Sequence, residues 1–200
     1  MYTSYIGKKF LHLYNDLAGT TLSAESFFEK MFFNLFFEND SHLMHVGNSP
    51  FFQKPKPADV TKFGGKALAQ LNNLQNKMDN DTPNMSIFVG YAAQDIQGTT
   101  SGQISTLSIE IDQEEMYASW MGQALGIGVS GGYVILIDDP EVIMTLFKGW
   151  KYYRQYLKQT PNVKDKQIET WNGHWLNHAF SRKYNRDDPW ENFKPETNEV

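Results

Sequence analysis

The segment at positions 27–37 most limits how this chain can fold, because eight of its eleven residues are apolar and six of them are phenylalanine. Ser23 precedes it as a predicted helix N-cap, and at 100° per residue the apolar side chains would cover well over half of the helix circumference. Such a helix, here called the aromatic helix, is buried on most sides or lies in an interface. We expect it in the protein core; a homodimer interface is the alternative. Its apolar members are Phe27, Phe28, Met31, Phe32, Phe33, Leu35, Phe36 and Phe37.

Length and composition predict one globular domain over residues 1–200. With 40% hydrophobic and 20% charged residues, the chain is neither disordered nor membrane-spanning by composition. The absence of cysteine excludes disulfides, thiol catalysis and cysteine-ligated metal centres. No apolar targeting segment follows Met1, and the longest apolar stretch is too short and too polar to cross a bilayer. We therefore expect a cytoplasmic protein with no membrane contact.

Alternating helical and strand patterns predict an α+β fold: a central mixed β-sheet flanked by helices, with an N-terminal helical pair. Residues 1–50 would form the helical region and 66–158 the α/β core. Residues 159–200 would form a basic hairpin turning at Asn172-Gly173, or a glycine-interrupted helix, followed by a loose tail. The predicted helices are 4–18, 23–37, 66–78, a helix opened by Asp112, and 139–158 with Asp139 as its N-cap. The predicted strands are 85–92, 104–111 and 133–137, the last of them nearly all apolar, as in the middle of a covered sheet. Residues 51–63 are predicted as an extended loop.

Charges are segregated along the chain. Residues 78–147 contain ten acids and no lysine or arginine, whereas residues 148–186 contain nine bases against two acids. A smaller basic block occupies 51–77. Local charge of one sign indicates a charged partner, since fields add locally. The alternative is that the acidic and basic blocks fold against each other and neutralise.

Three carboxylates are candidates for a catalytic site. Asp95 follows the first predicted strand, and Glu110 and Asp112 end the next, on one face of it. Adjacent antiparallel strands would bring them together, and grouped carboxylates favour a hard cation such as Mg²⁺. The alternative is that Asp112 caps a helix and Glu110 faces solvent.

This part of the chain, from about residue 66 to 137, resembles the PD-(D/E)XK nucleases, the restriction-endonuclease-like superfamily. The resemblance implies that Asp95 and Glu110 hold Mg²⁺ and that the protein is an endonuclease, in which metal-activated water hydrolyses phosphodiester bonds. The sequence departs from the family pattern: Gln94 stands where proline is usual, Asp112 stands where lysine is usual, and one strand is missing.

A basic stripe on the predicted 139–158 helix is the candidate surface for nucleic acid, with DNA as the expected form. Lys148, Lys151, Arg154 and Lys158 fall within about a third of the helix circumference. Tyr152, Tyr153 and Tyr156 interleave with them, and cations with stackable rings are what a nucleic-acid surface needs. A solvated helix face gives the same pattern, and Arg154 also falls on the apolar stripe of this helix.

Two further features leave the function open. His174 and His178 would share a face on a helix and could bind zinc with a third ligand such as Asp187, but not in a hairpin. The glycine-rich run at 126–132 precedes a strand and lacks the Lys-Ser/Thr pair of a phosphate loop. The carboxylates and the basic stripe make the metal-dependent endonuclease the leading hypothesis. The alternative is a non-catalytic nucleic-acid- or protein-binding subunit of a microbial defence-type complex.

Overall fold

The computed structural model describes residues 1–40, 42–91, 111–129, 132–160 and 168–195. The described residues are 60% helical, and the sheet that they form is a two-stranded antiparallel hairpin, so the predicted central mixed sheet flanked by helices is wrong. The elements, in chain order, are α1 (Tyr2–Ala18), α2 (Ala24–Phe27), a π-helical turn (Phe28–Phe32), α3 (Phe33–Phe36), a short 3₁₀ helix (Pro50–Phe52), α4 (Pro57–Phe63), α5 (Lys66–Asn80), α6 (Gln113–Ala124), β1 (Ile127–Val129), β2 (Tyr133–Ile135), α7 (Pro140–Gln159) and α8 (Ile168–Ala179).

Helix starts follow local side-chain chemistry. Ser23, Asp112 and Asp139 each accept a hydrogen bond from the backbone N–H three residues on, at 3.1, 2.7 and 3.0 Å. These bonds satisfy N–H groups that have no partner inside the helix. All three predicted N-caps are confirmed.

The aromatic helix lies in the core as α2, the π-helical turn and α3. Its six phenylalanines are at most 4% exposed, so none is left on the surface for a second copy of the chain. Phe37 stacks on Phe51 at 4.0 Å between ring centroids, and the edge of Trp120 meets both rings. The expectation that this segment forms the core, rather than a dimer interface, agrees with its burial.

Helices α1 and α6 pack backbone against backbone through two glycines. A Cβ on Gly7 would lie 1.8 Å from the carbonyl oxygen of Ala118, and one on Gly122 would lie 1.9 Å from that of Thr3. Any side chain at either position would separate the helices. Next to this contact, the hydroxyl of Thr3 in α1 donates a hydrogen bond to the carbonyl of Val89 at 2.6 Å.

Helices α7 and α8 pack through large rings. The Trp175 side chain of α8 covers Gly149 of α7, where a Cβ would lie 2.6 Å from the indole. The indole N–H donates to the carbonyl of Thr145 at 2.9 Å. Asn172, fully buried, donates to the carbonyls of Ala124 and Gly126 at 2.8 and 2.7 Å and so closes the end of α6.

The C-terminal third contains a helix, not the hairpin. Asn172-Gly173 lies inside α8 and not in a turn. The absence of a side chain at Gly173 lets α8 approach β1, since a Cβ there would be 3.3 Å from the carbonyl oxygen of Gly128. Residues 189–195, predicted to be loose, fold back onto the α7–α8 pair through Trp190 and Phe193.

Three local predictions are wrong. Residues 85–90 form turns rather than a strand, and the extended loop at 51–63 contains the 3₁₀ helix and α4. Strand β2 was expected in the middle of a covered sheet, but all of its residues are exposed and it pairs with β1 alone among the described strands. A short apolar run does not by itself identify a strand or its place in a sheet.

No helix in the described parts of the chain combines the length and apolarity needed to span a bilayer.

Candidate nucleic-acid interface

The exposed face of α7 carries a row of three lysines, here called the lysine stripe: Lys148, Lys151 and Lys158. Together with Gln155 and Gln159 they are the exposed positions of α7 from Lys148 to the end of the helix. At 100° per residue they lie within about 80° of one another, and Lys148 and Lys158 are about 15 Å apart along the axis. The stripe is therefore a short, straight row of positive charge.

Arg154, predicted as the fourth member, lies on the buried side of α7. Its side chain is 8% exposed, and it donates to the carbonyl of Leu35 at 3.0 Å and contacts Nδ1 of His42 at 2.8 Å. Burial lowers the pKa of Arg154 from its ordinary value. Arg154 thus ties α7 to α3 and to the segment that follows α3, and it does not extend the stripe.

His42 is the buried partner of Arg154. Its pKa is lowered from the ordinary value, first by burial and then by the positive charge of Arg154. The neutral ring can accept the hydrogen bond from the guanidinium through Nδ1, whereas a protonated ring could not. The contact therefore requires the neutral form of His42.

The tyrosines that interleave with the lysines face inward. Tyr153 is 3% exposed, Tyr152 stacks on Trp175 at 4.8 Å, and Tyr156 lies 5.4 Å from Trp171. Helical periodicity explains this outcome, since residues next to an exposed position lie 100° away from it. These tyrosines hold α7 on α8, and the predicted stacking role does not follow from their positions.

Trp190 supplies the aromatic ring beside the stripe that sequence analysis missed. Its indole N–H donates to Oε1 of Gln155 at 3.3 Å, and its ring meets Tyr152 edge-on at 5.5 Å. It is partly exposed, whereas the other four tryptophans are at most 1% exposed. A tryptophan inside a segment read as a loose tail was the available signal.

An open cleft of about 620 Å³ adjoins the C-terminal end of the stripe. Lys158 and Arg154 line one side, and Lys66, at the start of α5, lines the other. Glu38 and Asp40 lie there too, and Asp40 pairs with Lys66 at 2.9 Å. The cleft is mixed in charge, so the stripe outside it is the more strongly positive surface.

Two carboxylates of the acidic block form ion pairs with lysines of α1, and a third, Asp81, pairs with Lys77 of α5. Lys8 pairs with Glu115 at 2.5 Å, and Lys9 pairs with Asp138, whose pKa is lowered by hydrogen bonds from Lys9 and Tyr5. Within the described ranges, no lysine of the stripe takes part in an ion pair. The acidic block and the C-terminal basic block therefore do not neutralise each other through ion pairs of described residues.

The predicted catalytic carboxylates are only partly placed. Asp95 and Glu110, the proposed Mg²⁺ ligands, lie outside the described residues. Asp112 lies at the N-terminus of α6 and accepts the Glu115 N–H, which matches its alternative interpretation as a helix cap. Among the residues that the structure describes, no group of three side chains is arranged to hold a metal ion.

The histidine pair of α8 has a structural partner. His178 contacts the carbonyl of Pro189 through Nε2 at 2.9 Å and packs against Phe193, so it fixes the returning tail. His174 lies one turn earlier on the helix. Neither forms a metal-ligand group with Asp187 or any other described residue.

Comparisons with known proteins add no family to these observations: no protein-family model, curated protein or solved structure matches the chain.

Proposed function

We propose that this protein is a non-catalytic nucleic-acid-binding subunit that contacts the phosphate backbone through the lysine stripe of α7. The observation that carries the proposal is that Lys148, Lys151 and Lys158 form one exposed row without an ion-pair partner among the described residues. A row of unpaired cations attracts a polyanion, because binding releases the counterions that the polyanion had condensed. A cytoplasmic location is part of the proposal.

The contrast with the lysines of α1 and α5 supports this assignment. The exposed or half-exposed lysines on α1 and α5 that face carboxylates, Lys8, Lys9, Lys66 and Lys77, are each paired within the chain. Those ion pairs reduce the local positive field that a phosphate would meet. The lysine stripe keeps its field, and its length of about 15 Å matches about four nucleotides at 3.4 Å each.

We propose binding without catalysis because the features of this surface are cations and an aromatic ring, and not carboxylates that could hold a metal ion. The stripe and Trp190 offer charge and a ring, which suffice for holding a strand. They offer neither a nucleophile nor a metal ligand.

The test is the salt dependence of binding to a fluorescently labelled oligonucleotide. We expect the wild-type affinity to fall as salt rises. In the triple variant Lys148→Gln, Lys151→Gln, Lys158→Gln, the magnitude of the slope of log K against log salt should decrease by about 2, since each phosphate contact contributes about 0.7 to 0.9. The matched control is Lys8→Gln, Lys9→Gln, Lys77→Gln. It removes the same charge at lysines that already have partners.

The control separates a local surface from net charge. Equal losses in the two triple variants would show that only the overall charge matters and would overturn the proposal. So would a wild-type protein without salt-dependent binding to DNA or RNA.

Cleavage by a metal-dependent site stays a separate prediction, carried by Asp95 and Glu110. It is tested by incubating plasmid DNA with the protein and Mg²⁺. Loss of cleavage in Glu110→Ala would support the nuclease, and the absence of cleavage by the wild type would remove it. Neither result depends on the lysine stripe.

A further inference from the structure

We infer that the stripe selects single-stranded over double-stranded nucleic acid, with Trp190 as the ring on which a base stacks. This inference rests on the proposed function, since it concerns the same surface. It depends on where the returning C-terminal segment places the indole.

Trp190 is held in place from several sides. Its N–H is bound to Gln155, its ring meets Tyr152 and Trp171 edge-on at 5.5 and 6.1 Å, and Phe193 lies tilted at 5.8 Å. No described ring stacks parallel on it. Because the indole is also partly exposed, it offers a fixed aromatic surface to a ligand.

Tyr152 does not offer the same surface. Trp175 stacks on its ring at 4.8 Å, and the Lys151 ammonium lies 4.6 Å from its centroid. Trp190 is therefore the better placed of the two rings that border the stripe.

The indole lies beside the middle of the stripe. Gln155, its hydrogen-bond partner, comes four residues after Lys151 and three before Lys158, so it is about 6 Å and 5 Å from them along the helix axis. A strand whose phosphates contact those lysines would pass the indole. One base turned toward the protein could then stack on it.

This geometry distinguishes single strands from duplexes. In a duplex the faces of the bases are covered by their neighbours, so a protein ring beside the backbone has no base face to contact. In a single strand each base can turn outward and stack, which is worth about tenfold or more in affinity per base. Phosphate contacts, by contrast, are available in both forms.

The experiment uses the intrinsic fluorescence of the full chain. The probes are a 12-nucleotide oligothymidine and a 12-base-pair duplex. Since four of the five tryptophans are buried, stacking at Trp190 should quench the accessible part of the emission when oligothymidine binds, and the duplex should not. In Trp190→Phe that quenching should disappear.

Affinity measurements complete the test. We expect Trp190→Leu to weaken oligothymidine binding about tenfold and to leave duplex binding within about twofold. Phe180→Leu, which changes another exposed aromatic residue of the same C-terminal region, is the matched control and should change neither. Near-ultraviolet circular dichroism checks that Trp190→Leu keeps the packing of Tyr152 and Trp171.

The possible failures are distinguishable. Salt-dependent binding with equal wild-type affinity for the two probes, no quenching, or an equal loss for both probes in Trp190→Leu would overturn this inference and leave the proposed function standing. Absence of binding to both probes would overturn the two together.

Discussion

Helices α1 and α7 have the same general plan and use their lysines differently. Each has a glycine on its inner face and lysines on its outer face. On α1, Lys8 and Lys9 reach Glu115 and Asp138, which belong to α6 and to the segment before α7. On α7, the lysine stripe meets no such carboxylate among the described residues. The lysines of α1 join elements of the fold, whereas those of α7 form no ion pair among the described residues.

The inner faces differ as well. Gly7 of α1 meets a backbone carbonyl of α6, which cannot move without shifting the whole helix. Gly149 of α7 meets the indole of Trp175, a side chain. Helices with similar patterns are therefore held either by a contact with backbone or by a contact with a side chain.

The largest expected effect comes from Gly7→Ala. Its Cβ would overlap the carbonyl of Ala118, so α1 must move away from α6, and we expect a loss of more than about 3 kcal/mol, beyond the usual range for overpacking. Thermal unfolding should shift down by about 6 to 12 °C. Gly47→Ala, at an exposed position with open space, is the control.

Gly149→Ala tests the other side of this comparison. We expect a smaller loss of about 1 to 2 kcal/mol, because Trp175 can shift slightly and alanine favours the helix. Urea unfolding measures both variants. A loss for Gly149→Ala as large as that for Gly7→Ala would contradict the distinction between backbone and side-chain contacts.

Arg154→Ala compares the two faces of α7. Removing the buried guanidinium leaves the Leu35 carbonyl and His42 Nδ1 without a donor, so we expect a loss of about 2 kcal/mol. Lys151→Ala, on the exposed face one turn away, should change the free energy of unfolding by less than about 0.5 kcal/mol. Similar losses in the two variants would contradict the buried position of Arg154.

Acid should weaken the contact between Arg154 and His42. Because its pKa is lower in the folded protein, the unfolded chain takes up a proton first as pH falls below about 6.5, the ordinary value. Stability is then full above that pH and decreases below it, down to the pKa of the folded state. Urea unfolding between pH 7.5 and 5 should show a smaller decrease in His42→Gln than in the wild type. Exposed His45→Gln should keep the wild-type decrease.

The smallest stability effects concern the lysines themselves. We expect Lys8→Gln with Lys9→Gln to lower the free energy of unfolding by about 1 kcal/mol or less, since exposed ion pairs contribute little. Lys148→Gln with Lys151→Gln should leave it unchanged or slightly raise it, because like charges three residues apart repel. Thermal melts at low and high salt measure both. A stabilising role for the stripe lysines would contradict their assignment to a partner.

Local chemistry made part of the structure predictable. The N-caps Ser23, Asp112 and Asp139 were correct because each bond joins residues three apart, and the burial of the aromatic helix followed from its composition. The sheet prediction failed because residues 85–90 carry an apolar pattern but form turns, and because β2, although a strand, pairs only with β1 among the described strands.

The candidate nucleic-acid interface was also predictable only where local helical spacing determines it. The row of lysines on α7 could be read from helical spacing, but Arg154 was assigned to it because spacing does not show which way a long side chain bends. Trp190 could not be assigned, since its neighbours Gln155 and Tyr152 are far away in the chain.

Local residue patterns were enough to place the starts of several helices, to bury the phenylalanines of the aromatic helix in the core, and to put a row of cations on α7. These features depend on residues within about one helical turn of each other or on burial of apolar surface. The tertiary structure alone places Arg154 against His42, pairs Lys8 and Lys9 of α1 with Glu115 and Asp138, and brings Trp190 back to the lysine stripe. Those outcomes depend on contacts between residues far apart in the chain, which no local pattern records.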